Sequence, residues 1–520
     1  MLLLRRVATY LVSVISYLNN HKYPYLFCFC RTLRCNFVKV ILIGYITGTF
    51  LLSFFRVNAR YQIISLVVFF LLLRLPFFLG GAPLLIPEHS WMLVGEQMNH
   101  GFMLYRDVWD NVSPFSGLVY WLLDSLFGRQ QWIYQLAAVI VSIIQILYFN
   151  YVIHNREVFP ERTFIPGAIY ALFLNISFDL GTLSPMLMAN TFLLFAFGSI
   201  VKILVKREVT NQVFEMGLYI GIATLFYLPA SLFMIWAFLA LLFYTGSTIR
   251  HHLLGAFGSF FPLLMVVLFF YMNNGVESLN RNLLTSVFQV KQYNLNDFSS
   301  LLASLLLPLG FGVMGFMRIF TTLRFVNYQT RIQQVMALWF ITAVFSIPLM
   351  QYLAPMQFVI FIPPAAFFAT HYFQSFKKKS LADEAQFILM GALIILIQYQ
   401  GLRGILPGVT MGRLENLRVK PAALPPDIQR KRILVLGQHS GEYVNNFTAT
   451  PYLNWDLASY DLMNLDNFDS VIHVYDNFRK DPPDYVVDKS NIMPKLLSRV
   501  PALQKQYIQS PWKGIYQRKI

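Results

Sequence analysis

Tyr61-Gln-Ile-Ile-Ser-Leu-Val-Val-Phe-Phe-Leu-Leu-Leu-Arg74-Leu-Pro-Phe-Phe-Leu-Gly80 is followed closely by Pro87-Glu88-His-Ser-Trp-Met-Leu-Val-Gly-Glu96-Gln-Met-Asn-His-Gly101. Phe-Met-Leu-Tyr105-Arg106-Asp107-Val-Trp-Asp110-Asn-Val-Ser-Pro114 then completes the stretch. The first run supplies the ~20 mostly apolar residues that a membrane-spanning helix needs. The second opens on Glu88, the first acidic residue of the chain, and Glu88, Glu96, Asp107 and Asp110 face a single Arg106 between 81 and 114. Carboxylates at a membrane face are costly to desolvate and are usually kept for a task. An ordinary solvated acidic loop is the competing explanation.

Working outward, the same apolar pattern recurs. The 520 residues are 56% hydrophobic, 16% aromatic and 13% charged. A water-soluble surface needs roughly 25–35% charged residues, so this chain cannot cover itself in water. Apolar runs of spanning length fall at 61–80, 131–152, 163–178, 183–201, 214–229, 231–245, 253–272, 299–317, 333–350, 353–374 and 385–402, with a twelfth candidate at 37–55. The expectation is a mainly α fold, a polytopic transmembrane helix bundle of about 11–12 spans. The net charge of +16 does not point to nucleic acid. Residues 1–60 carry Lys and Arg without an acid, and the other basic residues sit in short turns, as expected of topological charge beside anionic lipid.

The basic turns around Arg56, Lys202–Arg207, Arg250, Arg318–Arg331 and Lys377–Lys379 share the cytoplasmic side only if the run 115–127 does not cross. That run is therefore expected to lie at the outer interface, with 81–130, 273–298 and the C-terminal part all outside. Three regions follow: an N-terminal extension 1–50, a multi-span membrane domain 51–402, and a small soluble α/β domain 403–520. In the last, Arg432–Gly437, Asp484–Asp488 and Gly514–Tyr516 read as strands, and 471–478 and 494–506 as helices. Gly437 and Gly441 do not make a nucleotide fingerprint. Cys28, Cys30 and Cys35 are the only cysteines, and no fourth ligand has zinc-like spacing, so residues 1–36 are expected to be dispensable.

The acid after the first core span, Gly101-x3-Tyr105-x-Asp107-x-Trp109, Pro114 and the aromatic helix ending Phe127-Gly128 resemble the first outer loop of the GT-C membrane glycosyltransferases. That superfamily includes protein O-mannosyltransferases and lipid A aminoarabinose transferases. Gln351-Tyr352-Leu-Ala-Pro355 is similar to its basic-Tyr-x-x-Pro element. Ala449-Thr-Pro-Tyr452-Leu-Asn-Trp455 and Asp481-Pro-Pro-Asp484-Tyr resemble the outer domain of bacterial members.

The resemblance implies a multi-pass protein of a bacterial inner membrane. It also implies inverting transfer of a sugar from a polyprenyl-phosphate donor to an envelope acceptor. By position Glu88 is the base candidate. Asp107 or Asp110 would hold the acceptor, or a divalent metal together with His89 or His100. Arg74, Arg106, Arg403 and Tyr352 would meet donor or acceptor. Where the family carries a basic residue this chain has Gln351, and the family's Lys-Pro-Pro or His-Pro-Pro is replaced by Val112-Ser-Pro114. A non-catalytic scaffold or envelope-assembly component on the same fold is thus the alternative. A secondary transporter is weaker, because no paired broken spans at matching positions and almost no intramembrane charge are present.

Overall fold

The computed structural model describes residues 51–206, 210–285, 298–321, 326–375, 381–405, 412–438 and 441–519. The extension 1–50 with its cysteines, and most of the run 37–55, lie outside them. The described chain opens on α1 (Leu51–Arg56), whose Leu52 and Ser53 amides donate to the Glu384 carboxylate at 2.8 and 2.6 Å.

Every apolar run from 61 onward carries a helix. In order these are α2 (Gln62–Gly80), α3 (Ile86–Asn99), α4 (Pro114–Phe127), α5 (Gln131–Asn155), α6 (Ile165–Phe173), α7 (Pro185–Lys206), α8 (Thr210–Phe226), α9 (Phe233–Tyr244), α10 (Ile249–Met272), α11 (Phe298–Thr321), α12 (Asn327–Ser346), α13 (Ile362–Gln374) and α14 (Leu381–Arg403), with α3 and α4 belonging to the loop 81–130. Among the described residues, eight helices are long and apolar enough to cross a membrane. Large apolar side chains such as Ile64, Leu72, Phe269 and Leu306 stay exposed along them, a surface stable only against lipid. The chain is a multi-pass integral membrane protein.

The expected runs depart from full-length α-helices at three places, each for a local reason. The run 163–178 yields only the nine residues of α6, because the Asn175 side chain folds back onto the Ala171 carbonyl at 2.7 Å. A 3₁₀ turn at Phe178–Gly181 follows. Pro229 separates α8 from α9, since proline cannot supply the helical amide. The run 353–374 begins as the 3₁₀ segment Pro355–Phe361 and continues as α13; this stretch is buried throughout and forms the centre of the bundle.

Close helix contacts use glycine. A Cβ on Gly258 of α10 would meet the Phe214 carbonyl at 2.6 Å, and one on Gly217 or Gly221 of α8 would strike the backbone of Gly255 or Ser259. Small residues let membrane helices approach where apolar burial alone gives no drive. The same device joins α3 to α4, where a Cβ on Gly95 would lie 2.6 Å from the Tyr120 carbonyl and Trp91 stacks on Tyr120 with centroids 5.8 Å apart. At 14 residues α4 is about 21 Å long, short of a ~30 Å hydrocarbon core.

After α14 the chain builds a five-stranded sheet in the order β2-β1-β3-β5-β4, from β1 (Arg432–Leu436), β2 (Phe447–Thr448), β3 (Tyr485–Asp488), β4 (Tyr507–Gln509) and β5 (Ile515–Arg518). β1 pairs in parallel with β2 and β3, while β5 is antiparallel to β3 and β4. Helices α15 (Trp455–Met463), α16 (Phe468–Lys480), α17 (Met493–Arg499) and α18 (Pro501–Gln506) cover it. The single helix expected over 494–506 is two, because Pro501 cannot continue α17. β2, β4 and α15 were not legible: two or three residues carry no period, and α15 is set by the Asn454 cap accepting from Asp456 N at 3.0 Å.

Candidate active site

Glu88 is placed by the entry into α3. Leu85 is extended, Pro87 presets the first turn, and the carboxylate folds back so that Oε2 accepts from the Leu85 amide at 3.5 Å and from Gln131 Nε2 at 3.0 Å. The residue is 2% exposed, and Oε1 has no hydrogen-bond partner among the described residues. Burial raises its pKa from 4.5 to about 7, with the Gln131 and Leu85 bonds pulling the other way.

Further buried polar side chains lie within electrostatic range of one another from there to Asp179. Tyr120, between Trp91 and Tyr134, donates to the Leu183 carbonyl at 2.8 Å. Its phenol is held far above the usual range by burial, reinforced by Tyr352, Tyr134, Glu88 and Asp110 nearby. Tyr352 is buried in turn, its hydroxyl 3.8 Å from Met356 Sδ, with Tyr227 and Asp179 as neighbours. Asp179 is fully enclosed: Oδ2 accepts from Met356 N at 2.8 Å and Oδ1 has no hydrogen-bond partner among the described residues. Burial lifts its pKa to about 6. Asp179 thus belongs to the same buried polar group as Tyr352.

The other expected site residues separate. Arg74 turns inward. It is wholly buried between Phe70 and Phe77, and Nη2 donates to the Leu174 and Leu180 carbonyls at 3.1 and 2.9 Å. Near Asp179 these carbonyls offer the guanidinium what headgroup water would otherwise supply. Asp107 and Asp110 do not share a helical face, because 107–113 is irregular and Tyr105 is left-handed at φ 69°. Asp107 accepts from Arg106 at 2.9 Å, from Met103 N at 3.1 Å and from Lys480 of α16. Burial opposes its ionisation, but these bonds outweigh it and hold the carboxyl below its ordinary value. Asp110 accepts from Val112 N at 2.8 Å. Gln351 donates to the Asn111 carbonyl at 3.5 Å, and Arg403 to Leu79 O at 3.5 Å.

The residues offered for a divalent metal do not fit one. Asp107 is taken up by two cations, and among the described residues no three His, Cys, Asp or Glu side chains group as ligands. Sequence reading missed three contributors. Arg129 bridges Glu96 at 2.9 Å to the carbonyls of Val444 and Asn446 at 3.0 and 3.2 Å. Gln131 holds Glu88, and Lys480 holds Asp107 from far along the chain. None lies within a motif, and only Arg129, beside the Gly128 helix end, had a local signal.

No family model and no curated protein matches the chain. Among solved structures it is similar to ArnT from Cupriavidus metallidurans bound to undecaprenyl phosphate, at 13% identity over 67% of this chain and 67% of that one, with a TM-score of 0.49. It is also similar to the apo oligosaccharyltransferase of Archaeoglobus fulgidus, at 12% identity over 82% of this chain and 69% of that one, with a TM-score of 0.46.

Proposed function

We propose that the protein is a GT-C-type membrane glycosyltransferase of a bacterial inner membrane. In this reading it transfers a sugar, with inversion, from a polyprenyl-phosphate donor to an envelope acceptor at the non-cytoplasmic face. The observation that carries the reading is Glu88: a buried carboxylate at the start of the outer loop, one oxygen anchored and the other unpartnered, with a pKa of about 7. A general base works best when its pKa is near the operating pH.

The proposed step is a displacement. The acceptor hydroxyl gives its proton to Glu88 Oε1 as its oxygen bonds the anomeric carbon, and the bond from that carbon to the donor phosphate oxygen breaks. The phosphate leaves with the electron pair. Gln131 keeps Oε2 fixed so that Oε1 is the oxygen presented. Asp110 and Tyr352, which like Glu88 lie within electrostatic range of Tyr120, are the acceptor-side candidates. Asp107 and Arg106 act on the arrangement of the loop.

The reading is tested with membrane vesicles and a radiolabelled polyprenyl-phosphate sugar. Glu88→Gln is expected to fold as wild type and to lose roughly 10²–10⁴ in turnover. Full activity in that variant removes the proposal. One observation favours the non-catalytic scaffold: Gln351 replaces the family's cation and spends its amide on Asn111 O. The scaffold reading expects Glu88→Gln to leave every phenotype of the protein unchanged.

A further inference from the structure

Four buried polar side chains meet at the connection between α6 and α7. Arg74, Asn175, Asp179 and Gln398 are each 0% exposed. Asn175 and Asp179 belong to the connection itself. Arg74 Nη2 spans it, donating to Leu174 O and Leu180 O at 3.1 and 2.9 Å. A Cβ on Gly181 would stand 2.8 Å from Arg74 Nη1, so glycine keeps that nitrogen clear.

Gln398 reaches the same place from α14, which packs on α2, on α6 and on the Phe178–Gly181 turn. A Cβ on Gly391 would lie 3.6 Å from Leu172, and one on Gly401 2.7 Å from Phe178. Gln398 lies between those glycines on one helical face, so it faces the residues between Leu172 and Phe178. Its level matches that of Arg74. α2 and α14 run side by side in one direction, with Leu73 and Ile395 in one cavity wall and Gly80 against Leu402. Arg74 is then about 9 Å below Gly80, and Gln398 about 6 Å below Leu402.

These side chains leave polar atoms over. Arg74 Nε and Nη1, Asn175 Oδ1, Asp179 Oδ1 and both amide atoms of Gln398 have no hydrogen-bond partner among the described residues. Arg74 and Asp179 are in electrostatic range of each other, yet among the described residues no hydrogen bond joins them. Inside a membrane bundle such groups are costly to leave unmade. The chemistry of the set narrows what completes it. Arg74 only donates, Asn175 Oδ1 and an ionised Asp179 only accept, and Gln398 does both. An anion would face the acceptor oxygens, and a cation would face the guanidinium. Water both donates and accepts, and it is held inside proteins by about two to four polar partners.

We propose that ordered water fills the space between Arg74, Asn175, Asp179 and Gln398, making Arg74 and Asp179 a solvent-separated pair inside the bundle. The stretch 174–184, which is not α-helical, suits such a site. Irregular backbone at membrane depth is found where protein or internal water satisfies its polar groups. Water between the two charges lets both stay ionised, where a dry pair would carry the full cost of desolvation. The site is independent of sugar transfer.

The test uses the full chain, and water itself is the probe. A density map that shows ordered water elsewhere in the bundle is expected to show water peaks within hydrogen-bond distance of Arg74 Nε and of the Gln398 amide. A site without density in such a map overturns the proposal. So does anomalous scattering there from bromide in place of chloride, or from rubidium in place of sodium. X-ray footprinting gives a second readout, because water bound inside a protein is split in place and oxidises the side chain beside it. Phe178 adjoins Asp179 and is 1% exposed. It is expected to be oxidised roughly tenfold faster than Phe373, which is as buried but packed against the Phe311 and Phe387 rings. Gln398→Leu is expected to bring Phe178 down toward the rate of Phe373. Asn175→Leu, expected to act likewise, covers the case in which loss of Gln398 disrupts the fold. Equal rates for the two rings in wild type, or an unchanged Phe178 rate in a folded variant, overturn the proposal.

Discussion

The Arg281 guanidinium lies 3.8 Å over the indole of Trp109, and the same indole meets Tyr452 edge-on at 5.0 Å. Trp109 also exchanges backbone hydrogen bonds with the soluble domain, its N–H donating to Pro451 O at 2.8 Å and its carbonyl accepting from Asn454 N at 3.1 Å. One residue of the first loop thus joins the loop after α10 to the C-terminal domain. Removing the ring is expected to loosen that junction more than the fold of either part. Trp109→Ala should cost about 3 kcal/mol of docking and expose the 403–430 linker to protease, with Trp109→Phe intermediate. Limited proteolysis of the full chain reads this directly.

Glu88 gives a pH dependence of definite sign. Its carboxyl titrates near 7 in the fold against 4.5 ordinarily, so the stability it permits is fully present below 4.5 and is lost as pH rises through 7. Glu88→Gln should therefore be more stable than wild type by about 3 kcal/mol at pH 8, with the gap closing by pH 4.5. Thermal unfolding across pH in one detergent checks it.

The same group sets the expected rate profile on the transferase reading. A base must be ionised to accept a proton, so kcat/KM should rise about tenfold from pH 6 to pH 8 with an apparent pKa near 7. A profile flat over that range would remove Glu88 as the base.

Asp107 behaves in the opposite sense. Its lowered pKa makes its contribution present above the unfolded value and lost as pH falls through the folded one. Asp107→Asn should weaken the contact with α16 by about 1–2 kcal/mol and make it less sensitive to salt, since the Lys480 side chain is 55% exposed. Proteolysis in low and high salt measures the difference.

Ser90 and Ser490 should label from the same side when replaced by cysteine in a background lacking Cys28, Cys30 and Cys35. Arg129 ties the loop that carries Ser90 to the Val444 and Asn446 carbonyls of the domain that carries Ser490. Labelling from opposite sides of sealed vesicles would break the shared arrangement of loop and domain.

The membrane helices were legible because each is written locally. A run such as 131–152 needs only its own apolar residues to specify α5, and the alternation of Arg432–Leu436 and the amphipathic pattern of α16 are likewise read within one segment. Glu88 stood out for the same reason, as the first carboxylate after a long acid-free stretch. The sequence could not tell that Arg74 turns inward to the Leu174 and Leu180 carbonyls, 100 and 106 residues away, or that Lys480 reaches Asp107 across 373. Nor could it tell that α6 stops short to wrap Asp179. Hydropathy is a property of one segment, whereas the partner of a charge depends on which segments meet once the bundle closes. The sequence by itself therefore determined which segments form long apolar helices and where the small α/β sheet begins. Only the tertiary structure decided which carboxylates keep an unpartnered oxygen among the described residues and which way Arg74 turns, because burial and pairing exist only after distant helices have packed.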